Sequence, residues 1–257
     1  AALNALDTAA SFTSTAGAAS VHRLQHSNAD GVSLSDRIKA AFLAVDAASG
    51  AAATAAADGA AGVCVAREVS IELTGHCVEA EPLEVQRGLV TVWGKVGDAG
   101  ARARLSLPCV RVSGGGSLCL KNLELLASEE NRVQEGLLQC SDCFITSKHG
   151  CGVLCLQKAR LSLRNCEVSG CLRSGIGVNG KNTEIDLQHC VVSKNGFSGI
   201  GVNHHARSIT LRDTSIVGNG YHGVWLNNGV VAQWLGGEIS GNRLSDKDGG
   251  GVLRGFD

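Results

Sequence analysis

Between Leu161 and Leu226 the chain alternates apolar and polar residues in short bursts, each closed by Asn, Asp, Gly or Ser. Apolar residues at every second position are the signature of a strand; a helix would space them three and four apart. The bursts also recur. L-S-L-R-N-C-E-V-S-G-C-L-R-S-G-I-G-V-N is followed by I-D-L-Q-H-C-V-V-S-K-N-G-F-S-G-I-G-V-N and then by I-T-L-R-D-T-S-I-V-G-N-G-Y-H-G-V-W-L-N, at a step of 24 residues. A fixed period of that size predicts stacked coils. Three short strands and three bends per period make one turn of a β-helix.

Aligning the repeats sorts the residues into columns. Leu161, Ile185 and Ile209 fall together, as do Leu163, Leu187 and Leu211, and Val168, Val192, Ile216 and Ile239. Cys166, Cys190 and Thr214 make another column. Gly175, Gly199, Gly223 and Gly251 precede Ile176, Ile200, Val224 and Val252, and then come Val178, Val202 and Leu226. Each apolar column is expected to point inward as a ladder of like side chains. Asn165, His189 and Asp213 stand between the first two strands, where a tight bend asks for a left-handed backbone. Asn179, Asn203 and Asn227 close the third strand and are expected to form an Asn ladder. Lys194-Asn195-Gly196 and Gly218-Asn219-Gly220 are turn signals.

The pattern runs on in both directions. Leu138, Cys140, Asp142, Cys143, Ile145, Gly152, Val153 and Cys155 fit the columns one step upstream, and Leu118, Leu120, Asn122, Leu123 and Leu125 one step before that. Downstream, Trp234 takes the place of Leu211. The expected fold is all-β: a right-handed parallel β-helix solenoid of about seven coils of 20–24 residues, its hand following from parallel-crossover chirality. At the spacing of neighbouring strands the rod is about 35 Å long. Residues 1–32 read as an extended arm and 33–257 as a single domain, with coils over about 63–253. A capping helix is expected over about 35–49, with Ser35 as N-cap and Ile38, Ala41, Phe42 and Val45 on its apolar face. Residues 50–62, nearly all Ala and Gly, read as a low-complexity loop.

The L-x-L-x-N-C-x-V and S-G-I-x-V-N patterns resemble the right-handed parallel β-helix superfamily, which includes pectate lyases, C5-epimerases and the β-helix repeats of certain F-box proteins. The resemblance covers roughly residues 63–253. It implies the fold, and it implies no single activity, because that superfamily holds lyases, hydrolases, epimerases and non-catalytic scaffolds.

Charge narrows the partners. With 23 basic and 24 acidic residues the net charge is −1, which favours neither nucleic acid nor an anionic membrane surface. No apolar run approaches a spanning length, so no membrane insertion is expected. The absence of Met fits a chain whose targeting peptide has been removed, or simply an ordered fragment of a longer one. The 11 cysteines include Cys140-x-x-Cys143 and Cys151-x-x-x-Cys155, a spacing with the look of a zinc site. Their columns point into the core instead, where Cys packs as a small hydrophobe. No metal or cofactor is therefore expected. Thiols in that number suggest a reducing intracellular or organellar compartment.

Catalytic signatures are partial. Asn182-Thr183-Glu184, Gly75-His76-Cys77 and Arg37-Ile38-Lys39 resemble pieces of polygalacturonase motifs, but in scrambled order and without paired aspartates. On the outward face of the first strands, Asp186 is expected diagonally between Arg164 and Arg212, with Glu184 beside Arg160. Arginines there could engage sugar carboxylates, with Asp186 as a base. The reading favoured for the cluster is cross-strand charge pairing on a solvated sheet. His204-His205 and His222 read as turn residues. Two functions follow. The first is a non-catalytic scaffold or binding subunit of an assembly, with a protein partner covering Ile239, Val252, Leu253 and Phe256 at the C-terminal coil. The alternative is a lyase, C5-epimerase or hydrolase acting on a uronate-containing polysaccharide.

Overall fold

The computed structural model describes residues 21–26, 31–41, 43, 68–96, 101–203, 206–227 and 229–255. Phe42, Val45, residues 50–62, His204, His205 and Phe256 lie outside the described residues. The chain winds into eight complete coils of three strands: residues 68–85, 89–112, 117–133, 137–155, 160–178, 184–202, 208–226 and 231–248. That is close to the seven expected. Every strand pairs in parallel with its counterparts in the neighbouring coils. The third strands form an eight-stranded sheet. The first and second rows join into one sheet because, in the last two coils, Ser208–Val217 and Val231–Ser240 run through the bend as single strands.

The register reproduces the sequence columns. Leu161 pairs with Ile185 and Ile185 with Ile209; Val168 pairs with Val192, Val192 with Ile216 and Ile216 with Ile239. All of these side chains are buried in one continuous core. At the first bend Asn122, Asp142, Asn165, His189 and Asp213 all have positive φ, between 45° and 57°. Side chains there tolerate the left-handed region best when they are short and polar.

The residue after that bend turns inward. The thiols of Cys143, Cys166 and Cys190 donate to the carbonyls of Ser141, Arg164 and Gln188, at 3.2–3.3 Å. The Thr214 hydroxyl makes the same bond to Arg212 O at 2.9 Å. That shared bond explains how Thr joins a Cys column.

Three expectations need correcting. The Asn ladder is made by Asn195, Asn219 and Asn242, in the turn before the third strand. Asn195 Nδ2 donates to Asn219 Oδ1 at 3.0 Å, and Asn219 Nδ2 to Asn242 Oδ1 at 2.9 Å. Asn179, Asn203 and Asn227 are exposed; the Asn227 amide donates to the backbone carbonyl of Asn203. The ladder and the apolar column together leave room only for glycine: a Cβ on Gly175 would sit 2.6 Å from Val192 Cγ1 and 2.7 Å from Asn195 Nδ2, and one on Gly199 2.4 Å from Ile216 Cγ2 and 2.9 Å from Asn219 Nδ2.

The second correction concerns the last coil. Its third strand is Ser245–Asp248, so Asp246 and Lys247 follow Gly223 and Val224, where Gly251 and Val252 were expected. Val252–Arg254 instead pairs with Val231–Gln233 and begins another coil.

At the other end, Val21–His26 adds a parallel strand to Glu68–Leu73, so the arm expected over residues 1–32 contains a rung of the sheet. The helix spans residues 34–41 and buries Leu34, Ile38 and Ala41. Its N-cap is Ser33, whose Oγ accepts from Asp36 N at 3.1 Å, rather than Ser35, which donates to Pro82 O. The carboxylate of Glu79, in the first coil, accepts from Leu34 N at 2.9 Å and fixes the helix start to the rod.

Candidate functional site

The first-strand face carries the candidate cluster in part. Arg212 Nη1 donates to Asp186 Oδ1 along the expected diagonal. Arg164 is the register partner of Gln188, and among the described residues it has no carboxylate within ion-pair distance. Glu184 lies opposite Arg160 in register but pairs with Arg207, at 3.0 Å. Both carboxylates of this face are therefore engaged by arginines, on a sheet surface open to solvent.

A recess lies elsewhere, on the third-strand sheet, and the sequence reading passed over it. The outward positions of that row run Glu84, Arg111, Arg132, Leu154, Gly177, Gly201, Trp225 and Asp248. Two successive glycines between Leu154 and Trp225 leave a trough, about 340 Å³ in volume. One wall is the turn column Arg173, Phe197 and Tyr221, which Leu244 continues past the trough, each amide hydrogen-bonded to the carbonyl one coil below. Phe197 and Tyr221 stack with ring centroids 5.6 Å apart and are about half exposed, at 50% and 45%. Asn179 and Asn203 stand on the opposite rim. Such a surface was hard to anticipate from nine aromatic residues in the chain. The signal was the middle residue of I-G-V, I-G-V and V-W-L, an outward column of two glycines and a tryptophan.

The ends of the trough are charged. At one end Glu130 accepts from Cys151 N at 3.3 Å and pairs with Arg132 at 3.4 Å and Arg173 at 4.0 Å. Burial, reinforced by the neighbouring Glu130 charge, pushes the Cys151 thiol up to about 12, so it is held as a thiol and not as a nucleophilic thiolate. At the other end the His222 ring lies 2.7 Å from Ser245 Oγ and 3.4 Å from Asp248 Oδ2. These are the residue types of a nucleophile triad, but Asp248 is 55% exposed. In the triad template the orienting carboxylate is buried. Here His222 ties the last coil to the one before it.

A family model described as the right-handed beta helix region matches residues 109–239, just over half of the chain. The chain belongs to the right-handed β-helix family. No curated protein and no solved structure matches it. The family match spans the trough from Glu130 to Trp225, so the trough is carried by the β-helix repeats themselves. Among the described residues no helix is long and apolar enough to cross a membrane. Of the residues expected to meet a partner, Ile239 and Leu253 are already buried within this β-helix, while Val252 is exposed beside its register partner Val231.

Proposed function

We propose that this β-helix is a non-catalytic binding module, the recognition subunit of a larger assembly, with the third-strand trough as its contact surface. The observation that carries this is the placement of carboxylates. Glu130 and Asp248 stand at opposite ends of the trough, five coils or about 24 Å apart. Glycosidic cleavage by paired carboxylates works across about 5–9.5 Å. What the trough does offer is half-exposed aromatic and aliphatic surface between polar rims, which is the make-up of an interface core. Val231, Leu235 and Val252 form a separate exposed apolar group on the first-strand sheet of the last coils, a second place for a partner at the C-terminal end.

The alternative, a lyase, epimerase or hydrolase centred on Arg164, Asp186 and Arg212, draws on the Asp186–Arg212 pair alone. Incubation with uronate polymers separates the two. The binding reading expects no unsaturated product, no epimerised residue and no new reducing end, and no labelling of Ser245 by a fluorophosphonate. Turnover of any kind, or labelling of Ser245, would overturn it.

A further inference from the structure

We infer that the trough binds a proline-rich segment in the polyproline II conformation, an assignment that rests on the binding-module reading. The first argument is periodicity. In the middle of the trough three groups recur one coil later: Gly177 then Gly201, Phe197 then Tyr221, Asn179 then Asn203. A ligand laid along the rod repeats its contacts only if its own period is a multiple of the rung spacing. Polyproline II turns every three residues with a rise of about 9.3 Å, close to two rungs at about 9.6 Å. An extended β-segment presents like side chains every 6.6–6.8 Å or so, which falls out of step after one rung.

The second argument is chemistry. From Leu154 to Trp225 the floor covers three rungs, about 14 Å, enough for four to five polyproline II residues. Pyrrolidine rings pack on Phe197, Tyr221 and Trp225 in the way that aromatic-lined grooves take Pro-rich segments. The wall continues into Leu244, which is 55% exposed and offers a sugar hydroxyl no hydrogen bond. A polyproline II backbone has no internal hydrogen bonds, so its carbonyls are free to accept from the Asn179 and Asn203 amides.

The third argument is charge. Arg132 and Arg173 outnumber Glu130 at one end, while Asp248 marks the other. The segment therefore carries an acidic residue toward Arg173 and a basic one toward Asp248.

Fluorescence anisotropy with a labelled proline peptide, Glu at one end and Arg at the other, tests this. A matched peptide with glycine in place of proline is the control. Saturable binding of the proline peptide is expected, at least tenfold tighter than the glycine peptide. Gly201→Val fills the trough floor and is compatible with folding, since a Cβ there meets only Ser174 Oγ at 3.4 Å. It should weaken binding at least tenfold, as should Trp225→Ala, while Asp186→Asn on another face should not. No binding of the proline peptide, or equal binding of the glycine peptide, would overturn the inference. If oligouronates bind instead and Gly201→Val abolishes that binding, the trough is a glycan site and the proline assignment is wrong. A partner captured equally by wild type and Gly201→Val overturns the trough as its site, yet leaves the binding-module reading standing. Catalytic turnover is the outcome that removes that reading.

Discussion

At the first bend a single backbone requirement selects the residue. Asn165 sits at φ 51° between Arg164, which faces out, and Cys166, whose thiol returns to the Arg164 carbonyl at 3.2 Å. The left-handed conformation brings that carbonyl within reach of the next side chain, so the bend and the inward thiol are one device. It recurs with Asp142 and Cys143, His189 and Cys190, and Asp213 and Thr214. Left-handed geometry costs an ordinary L-residue about 1–2 kcal/mol, and a β-branched one more. Asn165→Gly should therefore stay within about 1 kcal/mol of wild type, because glycine accepts positive φ freely. Asn165→Val should lose about 2 kcal/mol or more. Comparing the denaturation midpoints of the two variants checks this, and equal midpoints would show that the bend does not select its residue.

Among the elements, the turn before the third strand holds the most concentrated hydrogen bonding. Asn219 Oδ1 accepts from Asn195 N and Nδ2, and Asn219 Nδ2 donates to Val192 O and Asn242 Oδ1. With Asn219 only 1% exposed, water cannot replace these bonds when the side chain is removed. Asn219→Ala should lose about 2–4 kcal/mol, the desolvation penalty of the groups left unpaired. A loss below about 1 kcal/mol by chemical denaturation would contradict that account. The apolar columns and the bend residues were legible in the sequence because burial and positive φ each permit few residue types. The ladder was assigned one turn late because Asn signals a turn without saying which side of the turn its amide faces. The last third strand was misassigned for a different reason. Ser245 and Lys247 are half-exposed at the end of the described array, where an inward position need not be apolar. The trough escaped because its defining residues, Gly177 and Gly201, carry no side chain to mark a surface.

Across the whole molecule, the core and the open face differ in what governs their ionisable groups. Among the described residues ten cysteines are free thiols, nine of them buried. Burial pushes Cys171 and Cys190 up to about 11 and Cys151 to about 12, from an ordinary 9.0. Above pH 9 the unfolded chain therefore releases thiol protons that the folded chain keeps. Stability is whole below pH 9 and falls as pH rises toward 11–12, by up to about 1.4 kcal/mol per pH unit for each such thiol. A denaturation midpoint unchanged between pH 8 and pH 10.5 would contradict this. The open face is governed by screening instead. Asp186 is half exposed, its carboxylate held by Arg212, which is itself 42% exposed. Pairs of that kind contribute little, since water competes for both partners. Asp186→Asn keeps the shape and a hydrogen-bond acceptor for Arg212, so stability should stay within about 0.5 kcal/mol of wild type. Binding in the trough, on a separate sheet, should be unchanged. A loss of ligand binding or of any turnover in Asp186→Asn would move the functional site from the trough to the first-strand face. The Arg164, Asp186 and Arg212 cluster would then be the working surface of this β-helix.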